Sequence, residues 1–97
     1  MNQPPAPTTV WIVDDDLGFV WWLGEVFTEA GCRALPALSC EQAVSLIKKL
    51  NVGVDVLVVN PQLPGAARML QTLPNIFHVS VDLLLQKWYK GPFRTES

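Results

Sequence analysis

Residues 10–16 read VWIVDDD, a short run of apolar and largely β-branched side chains that ends abruptly in three aspartates. A continuous apolar run of this length is typical of a strand that is buried on both faces, as in a parallel sheet. Residues 56–59 form a second run of the same kind, VLVV, which is followed by Asn60. The two runs predict two buried strands of one parallel sheet.

The rest of the chain alternates between helical and extended patterns. Apolar residues from Phe19 to Ala30 repeat at helical spacing, and Gly31 is placed to end that helix. Ser39 and Gln42 form a capping-box pattern at the start of a second helix. The predicted elements are strand 10–13, helix 17–30, strand 32–35 stopped by Pro36, helix 40–50, strand 56–59, loop 61–65, helix 66–73, strand 76–81 and helix 82–89.

This alternation predicts one α/β domain with a parallel sheet and helices on both faces. Functional residues of such sheets lie outside the carboxyl ends of the strands. Those ends carry three aspartates after the first strand, Asn60 after the third and Ser80 near the end of the fourth. These polar residues are therefore the candidate site.

The three consecutive aspartates need a physical explanation. Two unit charges about 4 Å apart repel by about 4 kcal/mol at an effective dielectric constant of 20. The carboxylates must therefore turn into water or share a cation, and Mg²⁺ prefers oxygen ligands of this kind. We expect Asp16 to cap the following helix, and we expect Asp14 and Asp15 to belong to a site.

Two separate motifs, residues 10–16 and residues 55–65 (DVLVVNPQLPG), occur in an order that resembles a response-regulator receiver domain. The nearest resemblance is to the nitrogen-regulation transcription activators, whose first strand also runs into three aspartates. The resemblance covers residues 10–65. It implies a flavodoxin-like, doubly wound sheet and a bacterial two-component signalling protein, with residues 10–93 as the receiver-like domain. The three prolines within residues 1–9 predict a flexible leader, and the polar residues 94–97 form a tail.

The resemblance also assigns roles to particular residues. Receivers accept a phosphoryl group from a phosphohistidine on an aspartate at the end of the third strand. By resemblance, Asp14, Asp15 and the backbone carbonyl of Gln62 hold Mg²⁺, the candidate cofactor. Ser80 matches the small hydroxyl residue that contacts the phosphoryl group, and Lys90 matches the basic residue near a proline.

The main departure from the family pattern is Asn60, which stands at the phosphoacceptor position. A neutral carboxamide lacks the carboxylate oxygen that attacks phosphorus. We therefore expect a pseudo-receiver that is not phosphorylated by the ordinary route, is not an enzyme and acts by protein contact. Two alternatives stay open: an active Mg²⁺-dependent module in which a neighbouring aspartate accepts the phosphoryl group, and a dimerisation scaffold without any ligand.

The second half of the chain also departs from the pattern. The spacings from Asn60 to Ser80 and from Ser80 to Lys90 are short for a receiver, and Gly91 separates Lys90 from Pro92. The sheet is expected to be incomplete after the fourth strand. An exposed sheet edge or face would then favour a homodimer.

The first helix is apolar nearly all round. Phe19, Leu23 and Phe27 are predicted to face the sheet, and Trp22 to join the core. Trp21 either covers a groove of its own helix or, with Val20, forms an exposed patch for a partner such as a histidine kinase or another signalling protein.

Composition excludes several classes of function. Seven Lys and Arg residues against nine Asp and Glu residues give a formal net charge of −2, which does not favour nucleic-acid binding. No apolar run is long enough to predict a membrane span. Cys32 and Cys40 form no zinc-binding pattern, so we expect reduced thiols and a cytoplasmic protein.

Overall fold

The computed structural model describes residues 7–51, 53–73 and 76–84. Strands and helices alternate along this part of the chain. The strands are β1 (Thr9–Val13), β2 (Arg33–Ala37), β3 (Val56–Val59) and β4 (Phe77–Ser80). The helices are α1 (Leu17–Glu29), α2 (Cys40–Leu50), α3 (Ala66–Thr72) and the single turn α4 (Val81–Leu84).

The four strands form one parallel sheet in the order β2-β1-β3-β4. Val13, the last residue of β1, lies opposite Ala37 in β2 and Val59 in β3, so these three strands end at the same level. The prediction of an α/β fold with a parallel sheet is confirmed. The strand order is compatible with a flavodoxin-like arrangement.

Both faces of the sheet are buried, which explains why β1 and β3 are apolar throughout. Successive side chains of a strand point to opposite faces. Trp11, Val13, Leu57 and Val59 pack under α2 and α3, whereas Val10, Ile12 and Val58 pack under α1.

The starts of the two long helices agree with the predicted caps. The Asp16 side chain accepts a hydrogen bond from the Phe19 N–H at 3.1 Å and caps α1. The Ser39 hydroxyl accepts one from the Gln42 N–H at 3.0 Å, and the Gln42 carboxamide accepts one from the Leu38 N–H at 2.7 Å. The Ser39 hydroxyl therefore satisfies a free backbone donor of the first turn of α2, and the Gln42 carboxamide satisfies the N–H of the residue before the N-cap.

The prediction that Pro36 stops the second strand is wrong, since β2 continues to Ala37. The Arg33 N–H donates to Thr8 and the Ala37 carbonyl accepts from Asp14, so alternate residues of β2 bond to β1. Pro36 lies between two of these bonded residues, at a position whose backbone N–H, which proline lacks, would point away from β1. In the described part of the chain β2 is an edge strand, a position where a proline breaks no ladder hydrogen bond.

The three residues of α1 that were predicted to face the sheet all belong to or pack against the cluster under that helix, but the prediction missed Val20. Val20 and Leu23 are its buried residues, at 2% and 0% exposure, whereas Phe19 and Phe27 are half-buried. Val20 therefore belongs to the core and does not form an exposed patch beside Trp21. Trp22 is 37% exposed and lies against Phe19, with 6.0 Å between the ring centroids.

Smaller differences concern the ends of elements. Strand β1 begins at Thr9, the last residue of the predicted leader, and Val81 starts α4 instead of ending β4. The predicted helix 82–89 beyond Leu84, Lys90, the domain limit at residue 93 and the tail 94–97 lie outside the described residues. Among the described residues, no helix combines the length and the apolar character needed to cross a membrane.

Candidate functional site

The polar candidate residues lie at the carboxyl-terminal ends of β1, β3 and β4. These strand ends form one edge of the sheet, which is distinct from its edge strands. Because Val13 lies opposite Val59, Asp14 and Asn60 leave the sheet side by side. The ladder continues through them: the Asn60 N–H donates to the Val13 carbonyl at 3.0 Å, and the Asp14 N–H donates to the Ala37 carbonyl at 3.1 Å. The backbones of both residues are thus fixed by the strands on either side.

The Asp14 carboxylate is buried, with 4% exposure, and it is held by hydrogen bonds from two directions. The Asn60 carboxamide donates to Asp14 Oδ1 at 3.3 Å, and the Asp16 N–H donates to the same oxygen at 3.2 Å. A buried carboxylate is costly unless such donors surround it. The hydrogen bond from the Asn60 amide therefore helps to stabilise the charged form of Asp14.

The orientation of the Asn60 amide is fixed on its other side. Its Oδ1 atom accepts a hydrogen bond from the Gln62 N–H at 2.9 Å, an Asx turn across Pro61. With the carbonyl oxygen engaged in that turn, the amide N–H₂ group is the part that faces Asp14. The sequence Asn-Pro-Gln thus presents a hydrogen-bond donor to the acidic site.

Burial is the largest influence on the pKa of Asp14, and it raises the pKa above the ordinary value of 3.8. The hydrogen bonds from the Asn60 amide and the Asp16 backbone act in the opposite direction. The neighbouring Asp15 carboxyl raises the pKa further. The net shift is upward, so the charged form of Asp14 is less favourable here than in water.

The three consecutive aspartates have three different environments. Asp14 is buried, and Asp16 caps α1 as expected. Asp15 is exposed and lines a cavity of about 260 Å³, together with Leu38–Glu41 and the loop at Leu63 and Pro64. Asp14 and Asp15 nevertheless interact, since the Asp15 carboxyl raises the pKa of Asp14 both through a side-chain hydrogen bond and through its charge.

The Asn60 amide does not suit a divalent cation placed between Asp14 and residue 60. Asp14 Oδ1 already accepts two N–H groups, and one of them belongs to the Asn60 amide, whose N–H₂ group would face any cation placed between Asp14 and residue 60. Within residues 7–51, 53–73 and 76–84, no group of three or more His, Cys, Asp or Glu side chains is arranged to hold a metal ion. The Gln62 N–H donates to Asn60 Oδ1, and this hydrogen bond leaves the Gln62 carbonyl, the expected ligand, unengaged.

Ser80 lies at the same edge, opposite Val59 and at the end of β4. Its hydroxyl oxygen accepts a hydrogen bond from the Asp82 N–H at 3.2 Å, at the start of α4. Ser80 is therefore engaged in starting the next turn.

Sequence reasoning placed Asp14, Asn60 and Ser80 at one edge, and the structure brings them there. The sequence did not predict the hydrogen bond from the Asn60 amide to the Asp14 carboxylate. The Asn-Pro-Gln pattern carried the signal, because an Asx turn fixes which side of the carboxamide is left for Asp14.

Comparison with models of known protein families and with curated proteins gives no match. The receiver resemblance therefore rests on the two motifs and on the way their residues meet.

Proposed function

We propose that this chain is a receiver-like module of bacterial two-component signalling in which Asn60 replaces the phosphoacceptor, and that it acts in the cytoplasm through contact with a histidine kinase or another signalling protein. The proposal is supported by the order of the two motifs and by the parallel strand order, which is compatible with a receiver. It is also supported by the meeting of Asp14 and Asn60 at the edge where receiver chemistry takes place.

The hydrogen bond from the Asn60 amide to Asp14 Oδ1 is the observation that carries the proposal. An aspartate at residue 60 would keep the Asx turn with one oxygen and present the other to Asp14 as a second negative charge. Such a pair needs a cation or a proton to be stable. Asparagine presents a donor instead, so Asp14 has a hydrogen-bond partner without a cation, and residue 60 has no anionic oxygen to attack phosphorus.

One alternative acceptor has a specific observation in its favour. Of the three aspartates, Asp15 is exposed and is not used as a helix cap, whereas Asp14 is buried and Asp16 caps α1. A phosphoryl group found on this chain is therefore expected on Asp15 if it is found at all.

Intact-mass measurement after incubation with acetyl phosphate and Mg²⁺ tests the proposal. We expect the wild-type mass to stay unchanged and the Asn60→Asp variant to gain one phosphoryl group. Asn51→Asp makes the same chemical change at the end of α2 and should gain none. The proposal is contradicted if the wild-type chain is phosphorylated, or if Asn60→Asp folds normally and still takes up no phosphoryl group.

A further inference from the structure

The side chain of Asn60 belongs to a class of amides that can lose ammonia. In deamidation, the backbone nitrogen of the residue after an asparagine loses its proton and attacks the side-chain carbonyl carbon. Ammonia leaves, and water opens the resulting succinimide ring to aspartate or isoaspartate. An aspartate at residue 60 is the phosphoacceptor that the chain otherwise lacks, so deamidation would make the chain open to phosphorylation, and this consequence rests on the proposed function.

The contacts of the Asn60 carboxamide favour addition at its carbonyl carbon. The Gln62 N–H donates to Asn60 Oδ1 at 2.9 Å, which is the oxygen where negative charge develops when a nucleophile adds to the carbonyl. Asn60 is only half-buried, so water can reach it for the ring-opening step. Neither feature protects the amide.

The residue after Asn60 is a proline, which lacks the group that deamidation needs. Proline has no backbone N–H, so the nitrogen of Pro61 has no proton to lose and forms no neutral succinimide with the Asn60 side chain. A second route, attack of the Asn60 amide nitrogen on the backbone carbonyl of the same residue, would break the bond to Pro61. That nitrogen is engaged with Asp14 Oδ1 at 3.3 Å.

The local backbone does not by itself require a proline at residue 61. The Leu63 N–H donates to the Asn60 carbonyl at 3.1 Å, so residues 60–63 form a β-turn with Pro61 at its second position. Proline is favoured at that position, but the commonest type of β-turn accepts most residues there. Pro61 is also exposed and belongs to neither apolar cluster of the sheet. Another residue can therefore take its place without loss of the core.

We propose that Pro61 blocks deamidation of Asn60: by withholding a backbone N–H, it keeps residue 60 an amide and the chain without a phosphoacceptor. The block acts at the step that forms the succinimide. It leaves the hydrogen bonds of Asn60 to Asp14 and Gln62 unchanged.

Ageing of the folded chain at mildly alkaline pH, with intact-mass measurement and peptide mapping of residue 60, tests the proposal. Pro61→Gly should deamidate at Asn60 at least about tenfold faster than the wild type, because glycine restores the N–H and lets the backbone bend. Pro64→Gly is the matched control. It makes the same change at another exposed proline of this loop and keeps the Asn60–Pro61 pair, so it should deamidate at Asn60 no faster than the wild type.

Pro61→Ala separates loss of the block from loosening of the loop. Alanine restores the N–H and fits the second position of the turn, so the variant should unfold at about the same temperature as the wild type. It should still deamidate several-fold faster at Asn60, because the attacking nitrogen is present again. The proposal is overturned if folded Pro61→Gly and Pro61→Ala keep the amide as long as the wild type does. It is also overturned if the wild-type chain deamidates at Asn60 as fast as Pro61→Ala.

Incubation of the aged Pro61→Gly chain with acetyl phosphate and Mg²⁺ keeps this proposal distinct from the proposed function. The fraction that carries aspartate at residue 60 should gain one phosphoryl group. The isoaspartate fraction should gain none, because its additional main-chain methylene displaces the carboxylate. Deamidation without phosphorylation of the aspartate fraction would support the block by Pro61 and contradict the receiver-like function, whereas a lack of deamidation contradicts the block alone.

Discussion

A single atom of residue 60 decides the chemistry of the sheet edge. Asparagine and aspartate can both accept the Gln62 N–H and form the same turn. They differ in what remains to face Asp14: asparagine offers a donor, and the observed 3.3 Å contact is a hydrogen bond. Aspartate would place two carboxylates at that distance, where the repulsion is about 5 kcal/mol at an effective dielectric constant of 20.

The raised pKa of Asp14 predicts a particular dependence of stability on pH. The folded chain holds the Asp14 proton at pH values where the unfolded chain, with a pKa of 3.8, has already released it. This contribution to the unfolding free energy is therefore fully present below pH 3.8 and is lost as the pH rises through the raised pKa.

Replacing Asp14 by Asn removes that titration and keeps an oxygen to accept both N–H groups. The unfolding free energy of Asp14→Asn relative to the wild type should therefore increase with pH and then level off. Urea unfolding at a series of pH values measures the difference. A difference that shrinks as the pH rises would show that Asp14 is stabilised, not destabilised, in its charged form.

At the scale of elements, the sequence was most informative where a pattern had one interpretation. The caps at Asp16 and Ser39 follow from short-range backbone geometry, and both are observed. The packing of Phe19, Leu23 and Phe27 on the sheet side of α1 was predicted. The burial of Val20 was missed, because a helix that is apolar nearly all round fits several faces equally well. The course of β2 past Pro36 depends on β2 lying at an edge, which is a property of the sheet and not of the segment.

The capping box of α2 provides a test at this scale. Ser39→Ala should lower the unfolding free energy by about 1 kcal/mol, because the Gln42 N–H loses its acceptor. Ser45→Ala, in the exposed middle of the same helix, is the matched control and should be neutral or slightly stabilising. Equal losses in the two variants of a urea-unfolding comparison would show that the Ser39 hydroxyl adds nothing as a cap.

At the scale of the whole molecule, the sheet separates two apolar clusters and fixes the position of the site. One cluster lies under α2 and α3 and the other under α1, so β1 and β3 are buried from both sides. Their adjacency, which no local pattern specifies, is what brings Asp14 next to Asn60. The fold class and the edge that carries the site could be predicted from the apolar runs, whereas the hydrogen bonds within the site required the tertiary register.

Core substitution tests this two-sided burial. Leu57→Ala should lower the unfolding free energy by about 2–5 kcal/mol, because Leu57 is fully buried in the central strand β3. Leu50→Ala, at a leucine that is 53% exposed at the end of α2, should change it by less than about 0.5 kcal/mol. Chemical denaturation of the two variants measures both values, and a similar effect at the two sites would contradict the assigned burial.

The most direct test of the central claim is the unfolding free energy as a function of Mg²⁺ concentration for the wild type and for Asn60→Asp at neutral pH. If the Asn60 amide takes the place of a cation at Asp14, the wild-type value stays constant, apart from a general salt effect that Asn51→Asp reports equally. Asn60→Asp should be less stable by on the order of 2 kcal/mol without Mg²⁺ and should recover as Mg²⁺ is added. A wild-type chain that is stabilised by Mg²⁺ as strongly as Asn60→Asp would contradict the account.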